Sequence, residues 1–285
     1  MSLLTEILDR TRADLKKQIA RLPLAELEKK SALAPPVRPF LDGFGKGFRI
    51  LGEIKASSPS GGKMNPRNVK HALQVYNASP AIAAISVLTN APYFGGSLEY
   101  LQEVRQKTSK PILRKDFIID EYQLHEARAF GADAVLLMAS VHFENPDLFS
   151  HLYKLAKFLN LEPFIEIGRI EGQRDISRQI AMIPQDAKLI GVNSRQFKMG
   201  VKEEAGKRAG KDLTTLKSRH KDLIKLIPKR SGRIFAAESG IHEPRELQPL
   251  SQLGYHAALI GSAFLKGPGK IEDIVSKFTN AALMI

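Results

Sequence analysis

The 285-residue chain contains no cysteine, which excludes disulfides and thiolate metal ligands and suits a reducing compartment. It also lacks any apolar run near the roughly 18 residues that a membrane-spanning helix requires. Met1 to Leu22 carries Glu6, Asp9, Arg10 and Lys16-Lys17 among its apolar residues, so no signal-peptide core is expected there. A cytoplasmic location is the resulting expectation. No Gly-x-Gly-x-x-Gly follows a strand-like run, which argues against a dinucleotide-binding sheet. The seven histidines show no paired spacing such as His-Glu-x-x-His, and a metal centre is not expected. Internal sequence repeats and low-complexity tracts are missing as well.

What is present suits a large globular fold. Hydrophobic residues make up 43% of the chain, enough for a sizeable core, and charged residues 26%. The length fits one α/β barrel or two ordinary domains. A net charge of +13 and a pI near 9.8 raise the possibility of a nucleic-acid partner. Much of the excess, however, falls in one segment, Lys198 to Arg233, without interleaved aromatics. A basic surface with a pocket for an anionic metabolite accounts for it better.

Residues 1–32 read as helix, with Leu4, Ile7, Leu8, Leu15, Ile19 and Leu22 at helical spacing. Prolines 35, 36 and 39 and the glycines from Gly43 to Gly47 then break the pattern. Residues 1–47 are therefore expected to form a helical extension packed on a domain spanning 48–285. From Phe48 onward, short apolar runs alternate with amphipathic stretches. Strands are expected at Arg49 to Lys55, Ala83 to Leu88, Pro111 to Lys115, Ala134 to Met138, Pro163 to Ile167, Leu189 to Asn193, Ile234 to Glu238 and Ala257 to Ile260. Eight strand–helix units point to a (β/α)8 TIM barrel with an N-terminal helical extension, ahead of a doubly wound sheet.

In such a barrel, residues at the C-terminal ends of the strands converge on one mouth. Alternation within Leu113-Arg114-Lys115-Asp116-Phe117 puts Leu113 and Lys115 on one face and Arg114 and Asp116 on the other. Burial at the strand end is expected to lower the pKa of Lys115 and fit it for proton transfer. Glu53 and Lys55 close the first strand, both inward, as an ion pair or a catalytic one. Glu166 lies in the apolar run Phe164-Ile165-Glu166-Ile167, where a carboxylate is costly without a partner. Asn193 and Arg195 share a face after the sixth strand, and Arg195 suits bidentate grip on a carboxylate. Glu238-Ser239-Gly240 and Ile260-Gly261-Ser262 end the last two strands, where barrels bind phosphate through backbone N–H groups. The loop of residues 57–62 is a plain turn, an anion cradle or a lid. These residues describe acid–base chemistry on a phosphorylated, carboxylated small molecule.

The same residues resemble the indole-3-glycerol phosphate synthase family. The resemblance rests on Glu53-Ile54-Lys55 with Ser58-Pro59-Ser60, Ser86-Val87-Leu88-Thr89 with Tyr93-Phe94-Gly95-Gly96-Ser97, and Leu113 to Phe117. It continues through Gly131-Ala132-Asp133, Gly191 to Arg195, Glu238-Ser239-Gly240-Ile241 and Leu259-Ile260-Gly261-Ser262. It implies ring closure of 1-(2-carboxyphenylamino)-1-deoxyribulose 5-phosphate, with loss of carbon dioxide and water and no cofactor. It further implies Lys115 as general acid, and Lys55 and Arg195 as holders of the substrate carboxylate. Glu166 and Glu53 would move the protons of the dehydration, in an order left open. Asn193 and Glu238 would orient the substrate, and Phe94 and Phe117 would line its aromatic pocket. Ser58, Gly240, Gly261 and Ser262, together with Lys55, would cradle the phosphate, and Ser239 would also contact the substrate.

Departures from the family pattern lie mainly between Arg195 and Leu213, where Lys202 to Lys211 makes the loop long and basic. A solvated insertion, an electrostatic funnel for the substrate, or contact with another enzyme of tryptophan synthesis would each explain it. Phosphoribosylanthranilate isomerase is the nearest rival among phosphate-binding barrels, but its expected cysteine is missing. A non-enzymatic barrel binding RNA or protein through residues 198–233 is the alternative of a different class.

Overall fold

The computed structural model describes residues 3–45, 47–59, 61–170, 176–197 and 213–285. Eight parallel strands close a barrel in sequence order: β1 Arg49–Ile54, β2 Ile82–Leu88, β3 Ile112–Lys115, β4 Ala134–Met138, β5 Glu162–Ile170, β6 Leu189–Phe197, β7 Ile234–Glu238 and β8 Ala257–Ile260. The helices in chain order are α1 Leu3–Arg21, α2 Leu24–Leu33, α3 Pro66–Ala78, α4 Ala91–Phe94, α5 Leu98–Lys107 and α6 Glu121–Ala129. They continue with α7 Pro146–Phe158, α8 Ile176–Ala181, α9 Leu213–Ile224, α10 Leu247–Gln252, α11 Ser262–Leu265 and α12 Ile271–Leu283. None of the described helices is long and apolar enough to cross a membrane.

Period-2 alternation separates two cores. Ile50, Ile85, Val87, Val135, Leu137, Ile165, Ile190, Val192 and Ala258 face outward, under the helices. Leu51, Ala84, Leu113, Leu136, Phe164, Leu189, Ala236 and Leu259 fill the interior. The barrel is thus a packed core rather than a pore. Helix starts are fixed locally: Asn65, Asn90, Ser97, Asp120 and Asn145 cap α3 to α7 through side-chain acceptors.

The N-terminal segment differs from the single helix expected over 1–32. It breaks at Pro23, because the proline ring disfavours helical backbone at Leu22 and cannot supply an N–H to the preceding turn. Leu4 and Ile7 of α1 enter the same cluster as Phe117 and Met138, and the Tyr93 hydroxyl donates to Glu6 at 2.9 Å. Phe40 and Phe44, which follow α2, join the interior from the other end, where Gly43 abuts Ala83 at the start of β2. The extension therefore touches both ends of the barrel.

Two strands run past their expected ends. Beyond Ile167 and Asn193, β5 and β6 continue to pair through Gly168↔Asn193 and Ile170↔Phe197. The loop of residues 57–62 also forms a short antiparallel ladder, Ser57↔Lys63 and Ser58↔Gly62. At the lower rim, buried Asp133 accepts from the Ile112 N–H at 2.8 Å, the Arg38 N–H at 2.6 Å and Arg105 at 2.7 Å. That gives the Gly131-Ala132-Asp133 turn a tethering role.

Candidate active site

Strand register brings the polar strand ends to one level. Glu53 lies opposite Ser86, Leu88 opposite Lys115, Glu166 opposite Gly191, and Asn193 opposite Glu238. The Lys115 ammonium donates to Glu238 Oε2 at 2.7 Å and to Glu166 Oε2 at 3.2 Å. The other oxygen of Glu166 accepts from Asn193 Nδ2 at 3.0 Å. Lys55 and Glu53 form a tight ion pair beside them, both buried. These residues bound a cavity of about 110 Å³, walled by Phe94, Phe117, Leu136, Met138 and Leu259. The Phe94 and Phe117 rings are 6.4 Å apart and tilted by 38°, a slot that suits a flat aromatic group.

Electrostatics correct one expectation. Burial does pull the Lys115 pKa down, but the carboxylates of Glu238, Glu166 and Glu53 outweigh it and hold the group well above its ordinary value. Lys115 is therefore a firmly charged donor. The group with a displaced proton near neutrality is Glu238, which burial and then the neighbouring Glu166 push up to about 8, against the opposing pull of Lys115. Among the described residues, Glu238 Oε1 is buried without a hydrogen-bond partner. A carboxyl group that titrates near neutrality beside a fixed ammonium can both give and take a proton.

Two glycines make room for this arrangement. A Cβ on Gly191 would lie 2.0 Å from Glu238 Oε1 and 2.5 Å from the Phe164 ring. A Cβ on Gly261 would lie 2.3 Å from Glu53 Oε1 and 2.9 Å from Glu53 Cβ. Gly261→Ala is expected to displace Glu53 and lower kcat at least about tenfold while the barrel still folds. Steady-state kinetics beside thermal melting checks this, and an unchanged kcat would remove Glu53 from the machinery.

The candidate phosphate residues divide. Ser239, Gly240, Gly261 and Ser262 line the cavity, and Ser239 and Gly240 turn the chain with φ of 68° and 76°. Ser58 is buried and is not among the residues lining this cavity; its hydroxyl accepts from the Gly61 N–H at 3.0 Å, a bond that leaves it able to donate to an anion. The side chain of Arg195 lies outside the described residues, as do Ser60 and the 202–211 segment.

Further residues bear on the site beyond those singled out in the sequence. The Ser194 hydroxyl donates to the carbonyls of Glu238 and Ser239 at 3.3 and 3.1 Å, tying β6 to the turn after β7. His242 lies at the cavity rim. Arg114 and Asp116, on the outer face of β3, join Thr89, Asn90 and Glu126 in a buried network behind Lys115. Alternation in the sequence places Arg114 and Asp116 outward, but nothing local marks Glu126 as their partner. Among the described residues, no cluster of His, Asp or Glu has the arrangement of a metal site.

Solved structures of similar fold include 3-hexulose-6-phosphate synthase from Salmonella typhimurium, with a TM-score of 0.60 at 14% identity. The match covers 83% of this chain and 99% of that one, and it shows the barrel fold alone. Among sequences, the indole-3-glycerol phosphate synthase family profile matches residues 4–275. The indole-3-glycerol phosphate synthase of Streptomyces griseus is 34% identical over 99% of this chain and 98% of its own. Those of Aliarcobacter butzleri and Lachnospira eligens are each 36% identical, over 98% of both chains and over 84% and 82% respectively. With the family's motifs at the strand ends of a closed eight-stranded barrel, this chain belongs to the indole-3-glycerol phosphate synthase family.

Proposed function

We propose that the protein converts 1-(2-carboxyphenylamino)-1-deoxyribulose 5-phosphate to indole-3-glycerol phosphate, carbon dioxide and water, a late step of tryptophan synthesis. The observation that carries this reading is the Lys115 ammonium held between Glu238 and Glu166 next to the Phe94–Phe117 slot. The aromatic ring of the substrate enters the slot, and its phosphate meets the N–H groups around Ser239, Gly240, Gly261 and Ser262. As the carboxyl-bearing ring carbon attacks the ketone, Lys115 protonates the carbonyl oxygen, giving a hydroxyl and a new carbon–carbon bond. The carboxylate, held by Lys55 and Arg195, then leaves as carbon dioxide, and its bonding pair restores the aromatic ring. Glu166 and Glu53 next carry one proton to the departing hydroxyl and one from the five-membered ring, so that water leaves and the indole forms. Asn193 and Glu238 keep Glu166 and Lys115 oriented throughout.

The substrate is anionic and phosphorylated, and the reaction takes place in the cytoplasm. The basic segment 202–211 offers a contact to acidic neighbours of the same pathway. The isomerase alternative lacks its cysteine, and a barrel without activity does not explain the costly burial of these charges. Turnover of the carboxyphenylamino substrate by the purified protein, followed by indole fluorescence, tests the proposal. A folded protein that makes no indole product would overturn it.

The pH profile adds a second check. Because the Lys115 pKa is raised above its ordinary value and Glu238 is pushed up to about 8, an alkaline limb near pH 8 belongs to the carboxylates. Below it Glu238 keeps its proton, and kcat is expected to fall as pH rises through that value. A limb only above about pH 10, where an ordinary lysine titrates, would contradict this assignment.

A further inference from the structure

A cavity larger than the one that carries the chemistry lies outside the barrel mouth. A cleft of about 900 Å³ opens between α3 and α5, outside the barrel wall formed by β1 and β2. Its size falls at the upper end of the range of about 300–1,000 Å³ found for small-molecule sites. Val69, Leu73 and the ring of Tyr100 supply the accessible apolar walls, with Met64 and Val104 buried behind them. Adjacent barrel helices normally pack against each other over such surface, so these side chains sit at a face that the protein leaves unfilled.

The polar groups around the cleft are mostly cationic. Lys63 and Lys70 stand at its edge, and neither has a carboxylate partner among the described residues. Lys107, also at the edge, is neutralised by Glu103 on the same helix. The Tyr100 hydroxyl, on the wall, has no hydrogen-bond partner among the described residues. An occupant that satisfies all of these groups has an apolar body, an anionic head for the two lysines and an acceptor for Tyr100. A cation of the same shape would meet two like charges. The inner end of the cleft reaches Lys55 and Leu88, which also line the catalytic cavity, so the two spaces share a wall.

We propose that the α3–α5 cleft is a second ligand site, which binds a small apolar carboxylate between Leu73 and Tyr100 with its charge at Lys70 and Lys63. The inference does not depend on the function proposed above. Methyl NMR with 2-naphthoate as the probe locates binding directly. The Val69 and Leu73 methyl resonances shift saturably with millimolar probe, whatever happens to the Leu136 and Leu259 methyls inside the barrel mouth. The charge-reversed probe 2-naphthylmethylamine binds at least about fivefold more weakly, and Lys70→Glu weakens 2-naphthoate by a similar factor without changing basal turnover. Leu73→Trp fills the cleft and abolishes the shifts; should that variant fail to fold, Lys70→Glu and the amine still decide. Shifts confined to the barrel-mouth methyls, or equal affinity for acid and amine, would overturn the proposal.

Discussion

Lys115→Ala is expected to lower kcat by about a thousandfold or more, while KM moves far less. The asymmetry follows from what the ammonium does. It acts on negative charge that develops on the ketone oxygen during ring closure, so its loss is felt in the transition state rather than in binding. The variant should still fold. With the ammonium gone, the pull that holds Glu238 down disappears, its pKa rises further, and Glu238 keeps its proton at neutral pH. A protonated Glu238 avoids the repulsion that two buried carboxylates would otherwise suffer. Cooperative melting near the wild-type temperature, measured beside single-turnover kinetics, checks both halves. Near-native kcat in a folded variant would rule out Lys115 as the general acid.

The barrel was legible from strand ends alone, because each inward charge interrupts an apolar alternation that only a strand explains. Leu113 and Lys115 face inward and Arg114 outward, as period 2 requires. What alternation cannot give is the partner across the barrel. Lys115 meets carboxylates 51 and 123 residues away, so burial visible in the sequence pointed its pKa down while unseen neighbours raise it. The break at Pro23 was hidden for the opposite reason: apolar spacing continues through it although the backbone does not. Ser58 shows a further limit. A serine beside glycines can cradle an anion, close its own turn or do both, because a hydroxyl that accepts from the Gly61 N–H can still donate. The α3–α5 cleft depends on the distance between two helices, which no residue pattern records.

Arg114→Met is expected to destabilise the protein by about 3–5 kcal/mol, because it leaves two buried carboxylates without their counter-charge. Arg114 is 2% exposed and donates to Asp116 at 3.2 Å, Glu126 at 3.1 Å, Thr89 at 3.2 Å and the Gln123 carbonyl at 2.6 Å. The penalty should depend on pH, and its sign is fixed. Burial already raises the Glu126 pKa and Arg114 is the main group holding it down, so the variant's carboxylate binds its proton more tightly in the folded state than unfolded. Stability gained from that proton is present at low pH and lost as pH rises through the raised folded pKa. Denaturation at pH 5 and pH 8 should therefore show the larger deficit at pH 8, with a melting temperature lowered by roughly 10 °C there. A deficit below about 1 kcal/mol at both values would mean that the network is not what holds the β3 end. The catalytic consequence follows from chain order. Asp116 accepts from Thr89 at 2.5 Å and from Asn90 at 3.4 Å, so the network clamps the β2 and β3 ends on either side of Lys115. Loosening it lets the lysine leave the carboxylates that fix its charge, and kcat falls even at temperatures where the variant remains folded.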